Sequence, residues 1–362
     1  MEHRPECCCG CALAQMPSPP EESVPLPPTV GILGTAAFVP PRVVTNNQAG
    51  ASAGIDDAWI FARTAIRTRR WAGPEQATSD LAVQAAEQAL ANTAINAGQL
   101  GAIIVSTSTP DQPQPPTAAF VQNALHANSA YAFDTNAVCS GFLFAINTAH
   151  ALAQRDSIHV LVSGADVYSR ILDPTDRKTV CLFGDGAGAV VVGPTTASSR
   201  HLRIVDTELH TFTQHINLIG VPGGGSRQHL TTATLDAGQH YFHMDGRGVR
   251  DFVTTTVPEQ VRKFLARHHL AVEDIDHVVM HQANGRMLDE IYSLLDLRNA
   301  TCHQTIDRFG NTGSASIPIT LHHAYPELHG NILCIGFGGG MAAGITLLAA
   351  ASGSAGDVGA HK

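Results

Sequence analysis

At 362 residues, 44% of them hydrophobic, the chain has apolar material for one large core or two fused ones, which excludes disorder for all but its ends. A formal charge of −9 argues against a general nucleic-acid binder, whose phosphate contacts need a basic face. No uncharged apolar run of about 20 residues is present, and MEHRPECCCGCALAQMPSPP lacks the basic start and apolar stretch of a secretion signal, so a cytoplasmic protein without a membrane partner is expected.

The first 28 residues read as a flexible Pro- and Cys-rich leader. Of the eight cysteines, Cys7, Cys8, Cys9 and Cys11 crowd into that leader, while Cys139, Cys181, Cys302 and Cys334 stand alone. This spacing is unlike a disulfide framework, and the crowded group lacks the second half of a zinc site, so no metal is expected. From Thr29 onward, TVGILGTAAFVP reads as a strand stopped by Pro40 and Pro41, and TSDLAVQAAEQALANTAI as an amphipathic helix capped by Ser79 or Asp80. GAIIVSTSTP is a strand, AAFVQNALHA a helix and YAFDTNA a strand that runs directly into the helix SGFLFAINTAHALAQ. HVLVSGAD and TVCLFGDGAGAVVVG add further strands. Alternating strands and helices predict an α/β protein with a mainly parallel sheet covered on both faces.

The second half replays the first: VPEQVRKFLARHHLAVEDIDHVVMHQAN repeats the helix, turn, strand and polar loop of LAVQAAEQALANTAINAGQLGAIIVSTSTPD. FGDGAGAVVVG and FGGGMAAGITLLA both feed a Gly-rich turn into an apolar strand. The expected organisation is therefore two duplicated α/β halves, 29–197 and 198–350, stacked in five layers (αβαβα) with the chemistry at their junction, followed by a flexible tail over 351–362. The boundary falls between Pro194 and Arg200. Neither Gly-rich turn is a nucleotide cradle, because each leads into a strand rather than a helix.

Cys139, in DTNAVCSGF, stands where a strand enters a helix, so its sulfur faces the helix's positive end; this placement predicts a thiol pKa lowered below about 8.5. Cys181 and Cys334 read instead as structural thiols on apolar strands. His281 opens HQAN at a strand exit, and Asn311 lies in the Gly-flanked loop FGNTGSASIP before a helix with Pro318 near its start. Alone, each would be an ordinary loop residue. Together with Cys139 they supply a nucleophile and two nitrogen-bearing groups that can converge where parallel strands end.

NAVCSGF, DPTDR, FGDGAGAVV, MDGRGV, HQANGRM, GNTGSAS and FGGG follow one another over about residues 30–350 in an order that resembles β-ketoacyl-acyl carrier protein synthase III, a family of thiolase-fold condensing enzymes. GTAAFVPPRVVTN and DDAWIFARTAIRTRR also resemble that family's opening segments. Thiolases have a second catalytic Cys near the last Gly-rich turn, synthases I and II have a second His where Asn311 stands, and chalcone-synthase-like enzymes have GFGPG where this chain has FGGG. The resemblance implies that Cys139 takes up an acyl group from acyl-CoA, that the backbone N–H groups of Cys139 and Gly339 form an oxyanion hole, and that His281 and Asn311 stabilise the enolate formed when a malonyl unit on acyl carrier protein loses carbon dioxide. It further implies Trp59, Arg63, Arg177, Phe183, Asn284 and Phe337 in the substrate and CoA site, Arg286 at a carrier-protein docking site, a homodimer, and no cofactor. Fatty acid initiation and polyketide-type priming both fit. Pro115 and Pro116, and GGGMAAG at the last turn, depart from the family pattern at the expected acyl-pocket wall and predict a differently shaped pocket. Two other functions remain: an acyltransferase that passes the acyl group to an alcohol or amine, and a catalytically silent partner subunit.

Overall fold

The computed structural model describes residues 28–196 and 200–351. The N-terminal Cys cluster, with the leader except Pro28, the segment 197–199 and the tail beyond Ala351 lie outside the described residues. Ten strands form one hydrogen-bonded sheet: β1 (Val30–Phe38), β2 (Leu100–Ser106), β3 (Tyr131–Thr135), β4 (His159–Asp166), β5 (Gly186–Pro194), β6 (His201–Thr211), β7 (His277–Met280), β8 (Thr301–His303), β9 (Asn331–Gly338) and β10 (Ala342–Ala351). Their spatial order is β8-β7-β9-β10-β6-β1-β5-β4-β2-β3. Adding five to each label of β1-β5-β4-β2-β3 gives β6-β10-β9-β7-β8, so the second half repeats the first in mirrored order across the β1–β6 joint. That joint is short, pairing Gly31 with Arg203 and Ile32 with Leu202.

Within each half the two outer pairings are parallel and the two inner ones antiparallel. The sheet is thus mixed, not mainly parallel as expected. The tight turn from Gly338 to Ala342 can only reverse the chain, and it makes β9 and β10 antiparallel neighbours. A second departure concerns TVCLF, which is a succession of turns, not a strand: Val180 N–H bonds to Asp176 O and Leu182 N–H to Thr179 O. Cys181 therefore sits in a turn, whereas Cys334 lies on β9.

Helices α1 (Asp57–Thr64), α2 (Thr78–Ala91), α3 (Thr117–Ala124), α4 (Gly141–Asp156), α5 (Gly246–Arg267), α6 (Gly285–Leu295) and α7 (Ser316–Ala324) complete the layers. The cap of α2 is Ala77, not Ser79 or Asp80: the Asp80 carboxylate instead accepts from Ala77 N–H, and Ser79 is tied to Asp111. Likewise α5 begins at Gly246, well before Val257, because Asp245 of the MDGRGV motif caps it by accepting from Arg247 and Gly248 N–H.

The central helix α4 touches strands of both halves, and α7 packs on β1, β4 and β5 of one half and on β7 and β8 of the other. Three buried apolar clusters fill the spaces between layers: one under α2 and α3, one around α4 and α7, and one under α5 and α6. The molecule has the thiolase fold, two duplicated α/β halves in five layers, and both central helices begin near the junction.

Candidate active site

Strand β3 ends at Thr135, and a single 3-10 turn, Val138–Ser140, carries the chain into α4 with Cys139 at its centre. Val138 adopts φ 49°, a conformation uncommon for a β-branched side chain and a sign of local strain beside Cys139. The turn after β9 presses against this corner: a Cβ on Gly338 would lie 2.8 Å from both the N and Cβ of Cys139, so only glycine fits. The close approach brings the Gly339 N–H to the Cys139 sulfur beside the N–H of Cys139 itself.

His281 follows β7 directly. Its backbone N–H bonds to Ile335 O, its Nδ1 lies 2.7 Å from Ser316 Oγ at the start of α7, and Phe337 meets the ring edge-on. Asn311 is pinned by its backbone to Leu182 and Gly184, and its Oδ1 accepts from Gly313 N–H at 3.0 Å. That bond fixes the amide so that Nδ2, whose nearest acceptor is Ala283 O at 3.5 Å, is the group left to donate. Cys139, His281 and Asn311 are each buried and line one cavity of about 850 Å³, together with Phe183 and Phe337.

At the cavity mouth, the Arg63 guanidinium lies 4.2 Å from the Trp59 ring centroid and that of Arg177 5.5 Å, so three residues expected at the CoA site meet in one stack. Asn284 also lines the cavity, but its amide is engaged: Oδ1 caps α6 through Arg286 and Met287 N–H, and Nδ2 donates to Arg63 O. Arg286 is exposed at the rim and donates through Nε to Ala62 O. Pro115 and Pro116 are exposed and do not line the cavity of this chain.

The electrostatics differ from the sequence expectation. Burial, reinforced by Asp166, pushes the Cys139 thiol up to about 12, against the helix terminus and the two N–H groups that favour thiolate. Burial also lowers His281 to about 3, so the imidazole is neutral. Burial thus favours the neutral form of both groups.

Sequence reasoning missed three polar residues here: Asp166, Tyr168 and Ser316. Asp166, at the end of β4, accepts from Thr107, Ser108 and Thr109 on one oxygen and from Ser314 on the other. Tyr168 is buried, stacks on Phe183 at 4.5 Å, meets Phe242 edge-on and places its hydroxyl 2.9 Å from Ser108 Oγ. Ser316 holds His281. Only Asp166 carried a signal, a lone acid closing the apolar run HVLVSGAD.

Comparisons with known proteins bear on this geometry. The family model described as 3-oxoacyl-[acyl-carrier-protein (ACP)] synthase III matches residues 133–212, and its C-terminal counterpart matches 265–350. The acetoacetyl CoA synthase NphT7 of Streptomyces sp. (strain CL190) is 52% identical over 324 residues, covering 88% of this chain and 97% of that protein. The β-ketoacyl-[acyl-carrier-protein] synthase III of Solibacter usitatus (strain Ellin6076) is 38% identical, covering 83% of this chain and 91% of that one. The chain belongs to the β-ketoacyl-[acyl-carrier-protein] synthase III family. Its members include a solved structure from Pseudomonas aeruginosa PAO1, 32% identical, which superimposes with a TM-score of 0.79 over 89% of this chain and 98% of that one. As a member, the chain is an acyltransferase of the condensing type, and carbon–carbon bond formation by Claisen condensation is its reaction class. Among the described residues, no helix is long and apolar enough to cross a membrane.

Proposed function

We propose that the chain takes a short acyl group from acyl-CoA onto Cys139 and condenses it, with loss of carbon dioxide, with a malonyl thioester to give a β-ketoacyl thioester. The observation that carries this reading is the pairing of a buried thiol with two neutral, pre-set donors in one cavity. In the tautomer in which Ser316 donates to Nδ1, the His281 proton sits on Nε2, and the Gly313 bond to Oδ1 leaves Asn311 Nδ2 with only the long contact to Ala283 O at 3.5 Å. Both then donate to the malonyl thioester oxygen, which gains charge only as carbon dioxide leaves. The N–H groups of Cys139 and Gly339 hold the oxyanion formed when the acyl-Cys carbonyl is attacked. Thioester exchange and decarboxylation of this kind call for no metal or redox group.

The acyl group is read as short because Phe183 and Phe242, which line the cavity, pack against each other and against the buried Tyr168 ring. The Trp59, Arg63 and Arg177 stack suits an adenine nucleotide, and Arg286 at the rim suits an acidic carrier protein. A second reading of the malonyl carrier is CoA itself, favoured by the 52% identical relative named an acetoacetyl CoA synthase. Incubation of the protein with acetyl-CoA and either malonyl-CoA or malonyl-carrier protein, following acyl-Cys139 by intact mass and carbon dioxide release, decides between them. A β-ketoacyl thioester is expected from at least one donor. Acyl-Cys139 without carbon dioxide release from either would replace condensation by transfer to an alcohol or amine.

A further inference from the structure

The segment DDAWIFARTAIRTRR brings Trp59 and Arg63 to the cavity mouth, and near its end stands a cation that the chemistry leaves unused. Arg69 lies on the short strand Thr68–Arg70, paired with Val43–Thr45, and its side chain is 0% exposed. A buried guanidinium is costly unless its donors are met, and its partners here belong to two different supports of the mouth. Nη2 donates to Cys181 O at 2.7 Å, in the run of turns that carries Arg177 and Phe183. Nη1 donates to Asn46 Oδ1 at 2.9 Å. The Asn46 amide donates in turn through Nδ2 to Asp57 Oδ1 at 2.8 Å and to Ile66 O at 2.7 Å. Asp57 is the first residue of α1 and Ile66 the second beyond its end, so Asn46 holds both ends of the helix that bears Trp59 and Arg63.

Charge orders this path. The Asn46 amide turns its oxygen to a cation and its nitrogen to a carboxylate, so its dipole favours both, and the buried guanidinium is linked to an exposed anion. Burial lowers Arg69 to about 10, which leaves it protonated at neutral pH. The two guanidinium contacts of Trp59 are maintained differently. Arg63 stands four residues further along α1, so its 4.2 Å approach is set within one helix. Arg177 comes from the turns, so its 5.5 Å approach depends on where α1 sits relative to Cys181. The backbone around Arg69 is seated by other bonds: Arg67 N–H to Asp307 O, Thr68 Oγ1 to Arg308 O and Trp71 Nε1 to Phe183 O. None of these uses the Arg69 side chain.

We propose that Arg69 is a positioning residue for capture of the nucleotide end of the acyl donor. Bonded on one side to the turns and on the other, through Asn46, to α1, its guanidinium sets the gap between Trp59 and Arg177 across which an adenine nucleotide is gripped. Arg69 touches neither the donor nor the reacting atoms and acts through Arg177 and Trp59. The inference rests on the reading of an acyl-CoA donor that loads Cys139.

The test compares R69M, R177A and the double variant with the unmodified protein. Acetyl loading of Cys139 is followed by quenched intact mass, from acetyl-CoA over a range of concentrations and from the acetyl thioester of N-acetylcysteamine, which has no nucleotide. R69M is expected to need about tenfold more acetyl-CoA for half-maximal loading, within the range of a lost cation–π contact, while its maximal rate and its loading from the truncated donor stay unchanged. The double variant is expected to be no worse than R177A, because one contact is lost only once. Should the truncated donor load none of the proteins, the double variant decides. Should R69M fail to fold, Asp57→Ala opens the same path at its exposed end: about threefold more acetyl-CoA is expected, the scale of one hydrogen bond, and Asp57→Asn, which keeps an acceptor for Asn46, restores the unmodified value. Equal slowing with both donors, additive losses in the double variant, or an unchanged acetyl-CoA dependence in R69M or Asp57→Ala overturns the positioning role and leaves the condensing function standing. If the unmodified protein never loads Cys139, the functional reading falls and this role with it.

Discussion

In the proposed reaction Asn311 is the side chain that separates condensation from plain acyl transfer, because attack of Cys139 on the first thioester would precede any charge on the malonyl oxygen. Asn311→Ala is therefore expected to form acyl-Cys139 and yet to condense about 100-fold or more slowly, the usual scale for removing one oxyanion donor. Intact mass and carbon dioxide release measure the two steps separately; decarboxylation at the unmodified rate would contradict the role. This residue was legible in the sequence, as were Cys139 and His281, because each stands where a strand or turn stops in a motif of fixed spacing. Tyr168 was not. Nothing in ADVYSRILDP marks its ring or its hydroxyl, which meet Phe183, Phe242 and Ser108 from separate parts of the chain. The thiol pKa was misjudged for a related reason: sequence shows a helix start but not the depth at which the sulfur is buried.

Helix α7 shows what the duplicated elements demand of one another. Its first turn carries Ser316, and its seating against β5 depends on Gly188, where a Cβ would come within 2.7 Å of Ile319 N and of Pro318 Cβ. Because the obstacle on one side is backbone, relief requires moving α7 itself. Gly188→Ala is expected to lower stability by about 1–3 kcal/mol, the range for overpacking, while Gly225→Ala, where nothing lies within 4 Å, serves as a neutral control. Urea unfolding followed by circular dichroism measures both, and an unchanged Gly188→Ala midpoint would refute the tight seating. Such contacts explain which elements could be read in advance. Strands flanked by apolar alternation or Gly-rich turns were found within a few residues, but TVCLF satisfied a strand pattern equally well, and only its hydrogen bonds from residue to nearby residue reveal turns.

For the whole molecule, β3 is the exposed end of the sheet: it pairs with β2 alone, and Tyr131 and neighbouring Phe120 are exposed. We propose that two copies meet along this edge, which would remove an unpaired strand from solvent. Light scattering at micromolar concentration is expected to give twice the chain mass, and Tyr131→Asp is expected to shift the population toward the single chain. A monomer from the unmodified protein would rule out the pairing.

The stack at the cavity mouth has an optical consequence. The chain contains two tryptophans, and they occupy opposite situations. Trp71 donates its indole N–H to Phe183 O at 3.2 Å, fixed within the scaffold, whereas Trp59 lies beside two guanidinium groups at the point where a nucleotide would enter. Native emission therefore combines a steady background with a single reporter of occupancy. An adenine that displaces Arg63 or Arg177 from the Trp59 face changes the intensity before any bond is made or broken, so substrate capture can be timed by light alone, without a label and apart from the chemistry that follows.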